Sequence, residues 1–200
     1  SLAAYLSRLS MDCTLYLSQN FDFIAFPNDL TTGSSIMPHK KNPDVFELIR
    51  AKCNKIQSYQ TQFFNITNNL PSGYHRDMQI LKDDYFAMFD EISSCLEMMI
   101  MMIQNISFKE NILSDPRYLP LFSVEAVNQL VSAGTPFRNA YQQVGLSIEN
   151  GTFEMPKLSQ HTHEGSKDNL CLDEIRLAYN QTIQQFPFDK INQALAKLLK

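Results

Sequence analysis

Residues 33 to 44 read Gly33-Ser34-Ser35-Ile36-Met37-Pro38-His39-Lys40-Lys41-Asn42-Pro43-Asp44. A glycine, two hydroxyl residues, a lysine and an asparagine fall in one loop that runs straight into a helix start. Gly33 permits backbone angles that other residues avoid. The backbone N–H groups of Ser34, Ser35, Ile36 and Met37 are placed to form a nest for an oxyanion, and Lys40 adds a mobile positive charge. Asn42-Pro43-Asp44 reads as an N-cap, a first helical position and an acidic first turn. Such a loop suits closure over an anion and proton chemistry beside it.

Outward from this loop the chain is helical almost throughout. Downstream, Val45, Ile49, Cys53, Ile56, Tyr59, Phe63 and Ile66 recur at three- and four-residue steps and predict a helix over 43–68. Asn69-Leu70-Pro71-Ser72-Gly73 breaks it. A second long helix over 75–104 carries Met78, Leu81, Tyr85, Met88, Ile92, Cys95, Met99 and Met102 as a heptad-like seam. Upstream, Leu2, Leu6, Leu9, Cys13 and Leu17 mark a helix that begins with the chain, followed by an irregular stretch over 20–42. Neither long helix can bury its stripe alone, so a bundle is required. The methionines read as flexible core packing or a subunit contact. Shorter helices are expected over 123–132, 136–149, 172–185 and 188–199. The fold class is all-α: residues 1–105 form part of a long central helical bundle, and residues 106–200 a small C-terminal helical domain.

Composition removes several function classes. Hydrophobic residues make up 44% and charged residues 19%, an ordinary globular balance. The net charge is −4 with no basic stripe, which argues against nucleic acid. No apolar run reaches membrane-spanning length; the stretch from Cys95 to Ile103 reads as a buried helix segment. The four cysteines, Cys13, Cys53, Cys95 and Cys171, are scattered and read as reduced thiols of a cytoplasmic protein. His161-Thr162-His163 lacks further spaced ligands and reads as a polar loop, so no metal and no cofactor are assigned.

The loop resembles the signature G-S-S-x-M-P-x-K-x-N of the fumarase/aspartase superfamily, and GSSIMPHKKNPD looks most like its argininosuccinate lyase branch. The resemblance implies a β-elimination releasing fumarate, in which a proton leaves the carbon beside a carboxylate and an amine is expelled. It implies Ser34 as the base, Ser35 as a substrate contact, and Lys40 and Asn42 at the carboxylate end. A serine base requires loop amides and a nearby cation in a site that excludes water. Residues 70–82, Leu70-Pro71-Ser72-Gly73-Tyr74-His75-Arg76-Asp77-Met78-Gln79-Ile80-Leu81-Lys82, are similar to L-P-x-x-Y-N-x-D-x-Q-x-x-K of that branch. The resemblance assigns Tyr74, Gln79 and Lys82 to binding argininosuccinate; helical Gln79 and Lys82 are i,i+3 neighbours on one face. His39, His75, Ile80 and Leu81 depart from the branch's usual residues. A third match, Gly134 to Gly145, reads as structural, with Thr135 and Pro136 starting a helix whose Phe137, Ala140, Tyr141, Val144 and Ile148 share a face.

In this branch the site is assembled from three sequence regions in a homotetramer. The resemblance implies that the chain is the C-terminal part of such an enzyme, inactive alone, with arginine and fumarate as the whole enzyme's products. The leaving-group histidine is expected from an earlier region, since His39, His75, His161 and His163 have no matching context. The alternatives are another fumarate-releasing lyase (adenylosuccinate lyase, fumarase or aspartase), a crystallin-like structural member, and an interaction module using the methionine stripe.

Overall fold

The apolar stripe that follows the signature loop folds as α2, Asp44–Thr67, a 24-residue helix about which the amino-terminal half is organised. Asp44 and Glu47 stand in its first turn, where carboxylates favour the positive end of the helix dipole. The helix ends at Asn68, just before Leu70-Pro71, because a residue preceding proline is pushed out of the helical region. Phe46, Ile49, Cys53, Ile56 and Tyr59 are its buried face. A computed structural model describes residues 1–33, 36–37 and 40–198. It divides into two compact units, Ser1–Asp115 and Pro116–Lys200.

In the first unit α2 packs between α1, Leu2–Leu17, and α3, Ile80–Gln104. The α1 side contributes Ala3, Leu6 and Cys13 to the core, and the Ser7 hydroxyl donates to Asn54 Oδ1 at 2.8 Å. The α3 side contributes Cys95, Met99 and Met102. Two contacts set the antiparallel register: Lys55 Nζ lies 3.4 Å from Glu91, and Gln62 Nε2 donates to Asp84 at 2.6 Å. Cys53 and Cys95 meet across the same interface. Burial, then the neighbouring Cys95 thiol, pushes the Cys53 thiol up to about 12, so it is protonated and unreactive in the native state.

The methionine seam of α3 is covered along part of its length only. Its carboxyl-terminal members are buried, whereas Tyr85 is 47% exposed and lies edge-on against exposed Phe89. The stripe read as core packing or a subunit contact is thus buried at Cys95, Met99 and Met102 and half-buried at Leu81, Met88 and Ile92. The strands among the described residues are two residues long each. They are β1, Ile24–Ala25, and β2, Ser107–Phe108, paired antiparallel with Ile24 opposite Phe108.

The second unit begins with a 3-10 run, Pro116–Phe122, and a helical hairpin of α4, Ser123–Ser132, and α5, Phe137–Glu149. Gly134 makes the turn with φ +98°, a value glycine adopts at low cost. Val127, Ala140 and Val144 are the buried centre. Of the residues read as sharing the α5 face, Phe137 and Tyr141 remain about two-thirds exposed. Pro136, rather than Thr135, is the N-cap of α5. The chain then crosses back over α4: Glu125 accepts from the Ser159 hydroxyl at 3.0 Å and lies 2.6 Å from His161 Nε2. His161 thus serves a polar loop anchored to α4. Helices α6, Leu172–Gln184, and α7, Phe188–Leu198, complete the unit and bury none of their residues.

Two outcomes test this packing. Phe46 is fully buried against Phe26, with ring centroids 5.3 Å apart, so Phe46→Ala should destabilise the first unit by about 3–5 kcal/mol in chemical denaturation. The hydrogen bond from His161 holds the Glu125 carboxyl below its ordinary value of 4.5, opposed by partial burial and aided by Ser159. A depressed carboxyl contributes stability above its unfolded value, and that contribution disappears as pH falls through the lower folded value. In urea unfolding across this acid range, His161→Ala should lower stability at neutral pH and lose part of the wild-type decline below pH 4.5.

Candidate active site

An isolated β-bridge joins Thr32 to Asn42 across the neck of the signature loop. The Asn42 backbone N–H donates to the Thr32 carbonyl at 2.8 Å. The Thr32 hydroxyl donates to the Asp44 carboxylate on the first turn of α2. The Asn42 side-chain amide donates to the Gly33 carbonyl at 3.4 Å. Asn42 is therefore not the N-cap of α2; Pro43 holds that position, and the Asn42 side chain ties the neck of the loop instead. Ser34 and Ser35, together with Pro38 and His39, lie outside the described residues, and the oxyanion nest built on the two serines falls there with them. Gly33 does not use its conformational freedom here, since its φ lies outside the left-handed region and an added Cβ meets nothing within 4 Å.

Beside the loop is a hollow of about 720 Å³ whose wall includes Lys40, Lys41, Asn42 and Pro43. Its remaining wall comes from the end of α1, from β1, from Glu47 one turn into α2, and from Lys109. Three lysines and two acids, Asp22 and Glu47, line it, a balance that favours an anion. Lys109 reaches the hollow through the β1–β2 pairing: its N–H donates to the Phe23 carbonyl at 2.9 Å, and its ammonium lies 3.4 Å from Asp22. Asp22 turns the chain there with φ +48°, in the left-handed region that aspartate tolerates better than most residues. Lys109 and Glu47 escaped the sequence analysis. Nothing in the local pattern marks Lys109, because a pairing between distant segments of the chain brings it to the loop.

The second group of expected site residues stands elsewhere. Tyr74 lies in the turn after α2 and is 66% exposed. Gln79 closes a 3-10 turn, Arg76–Gln79, and Lys82 lies in the first turn of α3; both are exposed. Gln79 and Lys82 are helical neighbours, as their spacing requires, and present an amide and an ammonium together. From Lys55–Glu91 to Gln62–Asp84 the contacts advance along α2 as they retreat along α3. That register puts Lys82 near the carboxyl end of α2, while Lys40 and Asn42 precede its amino end. The two groups are separated by roughly 30 Å of helix axis. One chain brings Lys40 and Asn42 to one hollow and Tyr74, Gln79 and Lys82 to one turn, and it does not bring the two sets together.

Comparison with known proteins agrees with this architecture. The family model described as "Lyase" matches residues 1–58. Argininosuccinate lyase of Parabacteroides distasonis is 53% identical over 198 residues, covering 99% of this chain and 44% of that protein. The Bacteroides fragilis enzyme of the same name is 52% identical over 199 residues, again 44% of its length. That of Stenotrophomonas maltophilia is 34% identical over 86% of this chain. The chain thus spans less than half the length of these relatives. Among solved structures, 3-carboxy-cis,cis-muconate lactonizing enzyme from Pseudomonas putida superposes with a TM-score of 0.58 at 15% identity, over 75% of this chain and 34% of that one. This last likeness concerns the fold alone. With about half its residues shared across its full extent, the chain belongs to the argininosuccinate lyase family.

Proposed function

We propose that this chain supplies the signature-loop and Tyr74–Lys82 portions of an enzyme that splits argininosuccinate into arginine and fumarate. The observation that carries the reading is the identity of about half of all residues to argininosuccinate lyases over the whole chain. The intact loop motif, whose Lys40 and Asn42 line a hollow with Lys41 and Lys109, supports it.

The chemistry follows from the groups. Removing a proton from the carbon beside a carboxylate builds charge on that carboxylate, and cations aimed at it lower the barrier. Ser34 takes the proton. Lys40 and Asn42 hold the carboxylate end, and Ser35 helps to seat the substrate. Tyr74, Gln79 and Lys82 grip the rest of the molecule. Because the two sets stand at opposite ends of α2, a complete site needs a second copy to bring its turn to the first copy's loop. A homotetramer built through the long helices provides that, and covers Tyr85, Phe86 and Phe89, which are exposed in one chain. Reduced thiols and the small-molecule substrate fit a cytoplasmic enzyme. No helix among the described residues is long and apolar enough to cross a membrane.

The test is a chimera in which this chain replaces the matching stretch of the Parabacteroides distasonis relative. Fumarate release from argininosuccinate, followed by ultraviolet absorbance, is expected, and Ser34→Ala should lower it by about 10²–10⁴-fold. The 200-residue chain alone should release none. Release from adenylosuccinate instead would overturn the substrate assignment carried by Tyr74, Gln79 and Lys82. A folded but silent chimera would overturn the enzymatic reading.

A further inference from the structure

We propose that Thr32 and Asp44 are positioning residues for the signature loop, joined by a hydroxyl–carboxylate bond that holds the loop's two ends together at the start of α2. The catalytic meaning of this clamp rests on the function proposed above; the clamp itself does not.

The argument begins with the route of the chain. The loop departs after Thr32 and returns at Asn42, so its placement depends on whatever ties those two points. The backbone bridge does part of this, with the Asn42 N–H on the Thr32 carbonyl. The bridge and the 3.4 Å bond from the Asn42 side chain to the Gly33 carbonyl both start from Asn42, so the neck still pivots about that residue. The Thr32 hydroxyl supplies a second tie from the same residue to a different point, the Asp44 carboxylate. Asp44 belongs to the first turn of α2, whose opening is held by the Glu47 N–H on the Pro43 carbonyl at 3.0 Å. Two ties from Thr32 to two residues around Pro43 fix the outgoing strand of the loop against the helix. Lys40 and Asn42, which line the hollow, follow directly from that geometry. A hydrogen bond to a charged acceptor is among the stronger side-chain bonds, so the exposed location weakens the tie without abolishing it.

Asp44 has a competing role as an acidic residue favouring the amino end of α2. The two roles separate by substitution. If the carboxylate acts only on the helix, Thr32 is irrelevant to it. If it acts through the clamp, Thr32→Val and Asp44→Ala break the same bond and their effects do not combine.

Limited trypsin digestion of the full 200-residue chain reads the clamp directly, through cleavage after exposed Lys40 and Lys41. Thr32→Val and Asp44→Ala should each accelerate that cleavage about fivefold, as loss of one exposed side-chain bond implies. Cleavage after Lys55, inside α2, and helix content by circular dichroism should stay at wild-type levels. The double variant should be cleaved no faster than either single one, and Thr32→Ser, which keeps the hydroxyl, should restore the wild-type rate. Wild-type cleavage of Thr32→Val, or multiplying effects in the double variant, would overturn the proposal. In the chimera, Thr32→Val should lower kcat with Thr32→Ser restoring it. A chimera silent with Thr32 intact would count against the proposed function and leave the digestion result standing.

Discussion

A continuous helix of 24 residues cannot bring its own ends together, and α2 is such a helix. At about 1.5 Å per residue it holds its termini roughly 36 Å apart. Everything of chemical interest in the first unit hangs from one end or the other. The signature loop enters its amino end, and the Tyr74–Lys82 turn leaves its carboxyl end. The Lys55–Glu91 and Gln62–Asp84 contacts lock α3 alongside in antiparallel register. Rigidity therefore keeps Lys40 and Asn42 apart from Tyr74, Gln79 and Lys82 within one chain.

The same constraint accounts for the distribution of apolar surface. The core of the first unit runs through Phe46, Cys53, Cys95 and Met102, which are essentially inaccessible. It thins toward the other end of α3, where Tyr85, Phe86 and Phe89 face outward. The second unit buries Val127, Ala140 and Val144, and leaves the apolar faces of α6 and α7 exposed. On the function proposed above, a neighbouring copy aligned along the bundle would cover these faces and complete the site.

The helices were legible because their stripes repeat at three and four residues over several turns, and because Pro71, Gly73, Gly134 and Gly151 punctuate them. Helix starts were less legible: Asn42 and Thr135 both carry capping side chains, yet Pro43 and Pro136 take the N-cap positions. At the loop, tertiary ties compete for the polar groups, so Asn42 bonds to Gly33 and Asp44 to Thr32. The motifs named Lys40, Asn42, Tyr74, Gln79 and Lys82. They were silent on Lys109, which depends on the pairing of Ile24–Ala25 with Ser107–Phe108, because a two-residue pairing between distant segments leaves no periodic trace. The α5 residues read as sharing a face do so, with Phe137, Tyr141, Val144 and Ile148 lining one hollow, yet Phe137 and Tyr141 stay exposed. Periodicity identifies which residues share a side of a helix and says nothing about whether one chain contains the surface that covers it.

The separation of the two half-sites is the central claim, and a spin-label distance measures it most directly. Labels on Lys41→Cys and Lys82→Cys, in a background lacking the other thiols and diluted with unlabelled chain, report the distance within one molecule. The structure predicts a single population near 30 Å or longer, set by the length of α2. A population at less than half that distance would mean that one chain folds its own turn onto its own loop. The requirement for a second copy would then fall.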